Sequence, residues 1–110
     1  MIIGIAGVMA DVLTLAQASD VAGTDAIDLL GMLDLNAMVK GRGMNMANGN
    51  FDASFELTMA RKDVALMLET AGQRPLATLP GIAARMDQLI AQGHGAEDAC
   101  VLGVDAFKRG

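Results

Sequence analysis

Apolar residues recur along the chain at spacings of three and four, with few alternating runs, and this period predicts helices rather than strands. Gly23-Thr24-Asp25, Asn48-Gly49-Asn50, Gly72 with Pro75, and Gly93-His94-Gly95 punctuate the pattern. They divide it into helices expected near 2–22, 25–34, 36–46, 55–71, 78–92 and 96–108. Gly23-Thr24-Asp25 supplies cap candidates for the second of these. Pro80 is compatible with the fifth, because it falls in the first turn after Thr78, where a proline has no helical N–H to lose. The pattern thus predicts an all-α bundle of about six helices, one domain over residues 1–110.

Two of these helices have more than one apolar face. The first places Ile2, Ile5, Met9, Val12 and Ala16 on one stripe, yet Ile3, Val8, Leu13 and Leu15 occupy its other sides. A helix apolar nearly all round is expected to be buried nearly all round, as a central helix or one shared with a partner. The fourth carries a core stripe of Leu57, Ala60, Val64, Leu68 and Ala71. Phe55, Met59 and Leu66, with Lys62 among them, form a second stripe that is expected to meet another helix, a second subunit, a further domain or a ligand.

Composition narrows the possible partners. Hydrophobic residues make up 53% of the 110, enough for a packed interior, and only 19% are charged, which argues against a disordered chain. A net charge of −5 suits a phosphate backbone poorly. Three Phe, with no Trp or Tyr, offer no stacking platform for single-stranded nucleic acid. Met1–Ala10 is apolar but lacks a positive flank, and Asp11 interrupts it well short of the ~20 residues of a membrane span, so no membrane partner is expected. The single cysteine, Cys100, cannot form an internal disulfide and fits a reducing, cytoplasmic setting.

The stretch Phe55–Ala71, FELTMARKDVALMLETA, is led in by Asn50-Phe51-Asp52-Ala53-Ser54. It is followed by the helix at 78–92 and by Gly93-His94-Gly95-Ala96-Glu97-Asp98. This ordered set resembles the C-terminal helical domain of the β-hydroxyacid dehydrogenases, the family of 3-hydroxyisobutyrate dehydrogenase and tartronate semialdehyde reductase, related to 6-phosphogluconate dehydrogenase. Phe55, Lys62 and Asp63 match its aromatic residue and Lys-Asp-Leu motif, with Val64 in place of the usual Leu. The resemblance covers essentially the whole chain and implies the 6-phosphogluconate dehydrogenase C-terminal-like fold.

It further implies an NAD(P)-dependent oxidoreductase that moves a hydride between nicotinamide and a small 3-hydroxy acid. This domain would form one wall of the cofactor and substrate cleft, and would supply a homo-oligomer interface. The family's Rossmann domain, with its glycine-rich dinucleotide loop, is not found here, and Met1 is expected to follow just after the K-x-x-N segment that carries the catalytic lysine. The resemblance accordingly implies no catalytic residue in this chain, no tight binding of NAD or NADP by it alone, and no activity without the missing half. It assigns Lys62, Asp63 and Phe55 to the cofactor side.

Plainer readings stand beside these. Lys62 can be a lysine reaching out of an apolar stripe, and Asp63, about 100° further round the helix, an ordinary surface aspartate. Phe55 reads more simply as a core anchor. His94 has no neighbouring ligand cluster and makes no metal site; as a loop histidine it is expected to face solvent. Cys100, in line with Val101, Val104 and Phe107, is expected to be a small buried hydrophobe. Met38, Met44 and Met46 read as gap-fillers, and Lys40 and Arg42 as a solvated pair. An alternative function is a stand-alone helical dimerisation or interaction module with no catalytic duty.

Overall fold

The computed structural model describes residues 1–106. Its elements are α1 (Ile2–Ala18), α2 (Gly23–Leu30), α3 (Leu35–Met38), a π turn (Val39–Gly43), α4 (Met44–Asn48), α5 (Leu57–Ala71), α6 (Leu79–Ala91) and a 3-10 turn (Ala99–Gly103). Met38, Gly43 and Met44 all hold right-handed helical angles, so α3, the π turn and α4 form one continuous rod. The protein is all-α; counting this rod as one, the described residues form five helices and a 3-10 turn. Among the described residues the only extended pairing is an isolated antiparallel bridge between Glu56 and Asp98.

The helix expected over 96–108 is instead the short 3-10 turn, because Asp98 caps it two residues late and its hydrogen bonds close over three residues. Phe107 lies outside the described residues. The other expected helices form with shifted ends. α1 stops at Ala18 rather than 22: Asp20 turns left-handed (φ 56°), and the Val21 N–H donates to the Ala16 carbonyl at 2.8 Å. α2 starts at Gly23, two residues earlier than expected, with Ala22 at its cap position and no side chain closing it. Gly72 (φ 60°) and Gly93 (φ 96°) end α5 and α6 where the sequence placed the breaks, each in a conformation that suits glycine.

The described chain divides into two units. The first comprises Met1–Leu33 and Val64–Ala83. Here α1 packs on α2, and Ala16, Val64, Ala71 and Ala83 are buried. An open apolar groove on this unit is lined by Val12, Ala26, Leu29, Leu30, Met32 and Leu33. The second unit comprises Asp34–Asp63 and the described chain from Ala84. Leu57, Leu89 and Val101 are fully buried in it, beside Ala60, Met86 and Cys100. Of the expected core stripe on α5, Leu57, Ala60, Val64 and Ala71 are buried and Leu68 is half-buried.

α1 differs from its expected burial. Only Asp11 and Ala16 are buried along it, and Ile2 and Ile3 are 81% and 83% exposed. The chain does not wrap its own most apolar helix.

Candidate functional site

Each unit holds a buried aspartate that gathers hydrogen bonds from a segment remote in sequence. In the first unit Asp11, on α1, reaches the N-terminus of α6. Its carboxylate accepts from the N–H groups of Ala77 (2.6 Å), Thr78 (2.9 Å) and Leu79 (3.0 Å), and from the Thr78 hydroxyl (2.7 Å). These are donors that a helix start leaves without internal partners. Burial disfavours the charge, but the hydrogen bonds from Thr78, Ala77 and Leu79 outweigh it and hold the Asp11 carboxyl below its ordinary range.

In the second unit Asp98 is the corresponding hub. One carboxylate oxygen accepts from the Ser54 N–H and hydroxyl (both 3.1 Å) and from the Phe55 N–H (3.0 Å). The other accepts from the Cys100 N–H at 2.9 Å and faces Arg42 Nη1 at 3.4 Å. Arg42 Nη2 also donates to the Ser54 hydroxyl at 3.3 Å. Burial again opposes the charge, and the donors from Cys100, Phe55 and Ser54 hold Asp98 far below the usual carboxylate range. Burial beside this carboxylate pushes the Cys100 thiol up to about 11, so it stays protonated at neutral pH.

The segment 95–97 closes the start of α5. Leu57 N–H donates to the Glu97 carbonyl (2.8 Å), and Thr58 donates through both N–H and hydroxyl to the Gly95 carbonyl (3.0 and 2.9 Å). The Phe55 carbonyl accepts from the Ala99 N–H at 2.8 Å. Phe55 is thus tied through its main chain on both sides, while the residue as a whole remains 39% exposed. It is not the core anchor that the plainer reading expects.

Lys62 and Asp63 are both exposed on α5, adjacent in sequence and about 100° apart around the helix, so the fold does not make them a pair. Lys62 makes no hydrogen bond or ion pair to another described residue. Its apolar neighbours in the stripe, Met59 and Leu66, are 50% and 62% exposed. A dinucleotide presents anionic phosphates, ribose hydroxyls and flat rings. Of Lys62, Asp63 and Phe55, it is the exposed Lys62 ammonium whose chemistry fits an anionic phosphate.

Other expectations change. His94 is half-buried rather than solvent-facing, with Nδ1 3.1 Å from Glu97 Oε2. Lys40 is solvated as expected, but Arg42 is not, because it reaches Asp98 and Ser54. Met46 fills a gap: a Cβ at Gly103 would overlap its side chain. Met38 and Met44 remain exposed. Among the described residues no cluster of His, Cys, Asp and Glu could hold a metal ion, and no helix is long and apolar enough to cross a membrane.

The sequence pattern assigns no such role to Asp11, Asp98 or Ser54, and it places Arg42 in solvent. A lone acid interrupting an apolar helix and an aspartate standing just before Ala-Cys-Val are the signals that mark the two hubs. Compared with known proteins, the chain matches no protein-family model and no curated protein.

Proposed function

We propose that this chain is the helical domain of an NAD(P)-dependent oxidoreductase of the β-hydroxyacid dehydrogenase type, acting in the cytoplasm as part of a homo-oligomer. In that reading the chain forms one wall of a cofactor and substrate cleft and is inactive alone. The supporting observation is the uncovered apolar surface on α1 and on the Lys62 face of α5. Burying a side chain such as Ile or Leu stabilises by about 1.5–3 kcal/mol, and Ile2, Ile3 and Leu66 forgo most of that in the chain by itself. Surfaces of this kind suit coverage by a dinucleotide-binding domain and by a second subunit.

A nicotinamide cofactor, when bound, would take a hydride from the carbinol carbon of a small 3-hydroxy acid, or return one to the carbonyl carbon of the oxidised product. This chain's own residues bind and orient. Lys62 offers its ammonium to an anionic or carbonyl oxygen of the cofactor, and the apolar stripe around it keeps water from that contact. Asp63 accepts from hydroxyl groups, and Phe55 presents a ring edge or face.

The test joins a dinucleotide-binding domain carrying the K-x-x-N segment to the N-terminal side of Met1. The expected result is NAD(P)-dependent oxidation of at least one small 3-hydroxy acid by the fusion, and none by the chain alone. A soluble fusion that binds the dinucleotide yet oxidises none of a panel of such acids overturns the proposal. If that fusion self-associates through α1, the alternative of a helical interaction module takes its place.

A further inference from the structure

The geometry points to Asp98, braced by Arg42, as a positioning residue that mounts the Phe55 ring as a preformed contact for the cofactor; what the ring meets rests on the function proposed above. Three observations converge on this. A carboxylate only 3% exposed is costly to bury. Three of its five donors lie on one short stretch of chain, Ser54 twice and Phe55, and the other two are Cys100 and Arg42. That stretch is then fixed from the other side, where the Asp98 N–H donates to the Phe51 carbonyl at 2.9 Å and the Ala99 N–H to the Phe55 carbonyl at 2.8 Å.

A cap for the 3-10 turn requires only the Cys100 contact. Three further contacts, from Ser54 and Phe55, hold the backbone that carries a partly exposed aromatic residue, and Arg42 braces the carboxylate that holds it. An aromatic ring on a locked backbone loses little conformational freedom when it meets a ligand, and this is what preorganisation provides. Arg42 reaches the carboxylate from the π turn, and a π turn within a helix commonly marks a working position.

The test uses the full chain, labelled for NMR, with Asp98→Asn and, as the variant least able to disturb folding, Arg42→Met. In both, amide exchange at Ser54 and Phe55 should quicken about tenfold or more while the amides of α6 keep their protection. Millimolar NADPH should shift the Phe55 ring and Lys62 side-chain signals in the parent chain. In the variants the Phe55 shift should disappear and the Lys62 shift persist. Unchanged exchange at Ser54 and Phe55 overturns the inference, as does faster exchange with the Phe55 shift intact, which would leave Asp98 a structural cap. NADPH that shifts Phe55 but not Lys62 leaves the inference standing and counts against the proposed Lys62 role. NADPH that shifts neither overturns the cofactor contact itself.

Discussion

Asp11 closes α6 from a different helix: its carboxylate takes the Thr78 N–H at 2.9 Å and the Thr78 hydroxyl at 2.7 Å. A residue near the beginning of the chain therefore completes a helix that starts 68 positions later, at Leu79. Asp11→Ala leaves the donors of Ala77 and of the half-buried Thr78 and Leu79 without their acceptor. It should destabilise the chain by about 2–3 kcal/mol, measured as a fall in the urea midpoint at unchanged slope. Asp11→Asn keeps one accepting oxygen and should cost less.

Stability should also fall in acid. Asp11 and Asp98 are both held below the 3.8 of an unperturbed aspartate. The unfolded chain therefore takes up these protons first as pH drops, and the stabilisation present above pH 3.8 is lost below it. Urea midpoints followed by circular dichroism should be nearly flat from pH 7 to 5 and decline steeply below about pH 4. In Asp98→Asn the midpoint should be lower at pH 7 and the acid decline shallower.

Two glycines of α1 should respond oppositely to the same change. A Cβ at Gly4 meets nothing within 4 Å, so Gly4→Ala should stabilise by about 0.5–1 kcal/mol through helix propensity. A Cβ at Gly7 would sit 2.8 Å from the Thr78 methyl. The bond from the Thr78 hydroxyl to Asp11 prevents that side chain from rotating away. Gly7→Ala should cost about 1–3 kcal/mol, and paired thermal melts at neutral pH check both signs.

The Cys100 thiol should be sluggish. With its pKa raised from 9.0 to about 11, the folded chain at pH 8 holds about a hundredfold less thiolate than the unfolded one. Disulfide-reagent titration should therefore be slow in buffer and fast in urea.

Lys62→Ala should change the stability read from thermal melts by no more than about 0.5 kcal/mol, since the side chain is exposed and unpartnered among the described residues. Ile2→Lys combined with Ile3→Lys should likewise spare the fold while weakening self-association in sedimentation velocity. A large loss of helicity in either variant would make those residues structural.

The apolar period conveyed the helical class, and the breaks at Gly72 and Gly93 were legible because each glycine stops a strongly periodic run. The core side of α5 was legible for the same reason, from Leu57 to Ala71. The burial of α1 was not. Apolarity reports that a surface is to be covered, and it is silent on whether this chain does the covering. The aspartate hubs were hidden for a different reason. Their partners are backbone N–H groups of Ala77, Leu79, Phe55 and Cys100, which have no side-chain signature, and they lie 2 to 68 residues from the acid that binds them. Arg42 was misread because a π turn changes the side on which a residue emerges, and Val39–Gly43 gives no periodic warning of one.

That turn has a wider effect. Closing a π turn takes one residue more than closing an α turn, so every side chain after Gly43 is swung about 100° from where an unbroken helix would put it. Met46, three residues past the turn, is the side chain that fills the space a Cβ at Gly103 would take. Removing one residue between Val39 and Gly43 would straighten the rod and present a different edge of Met44–Asn48 to Ala99–Gly103. Here the direction in which α4 presents its side chains relative to α3 is set by a count of five residues, with no loop between them.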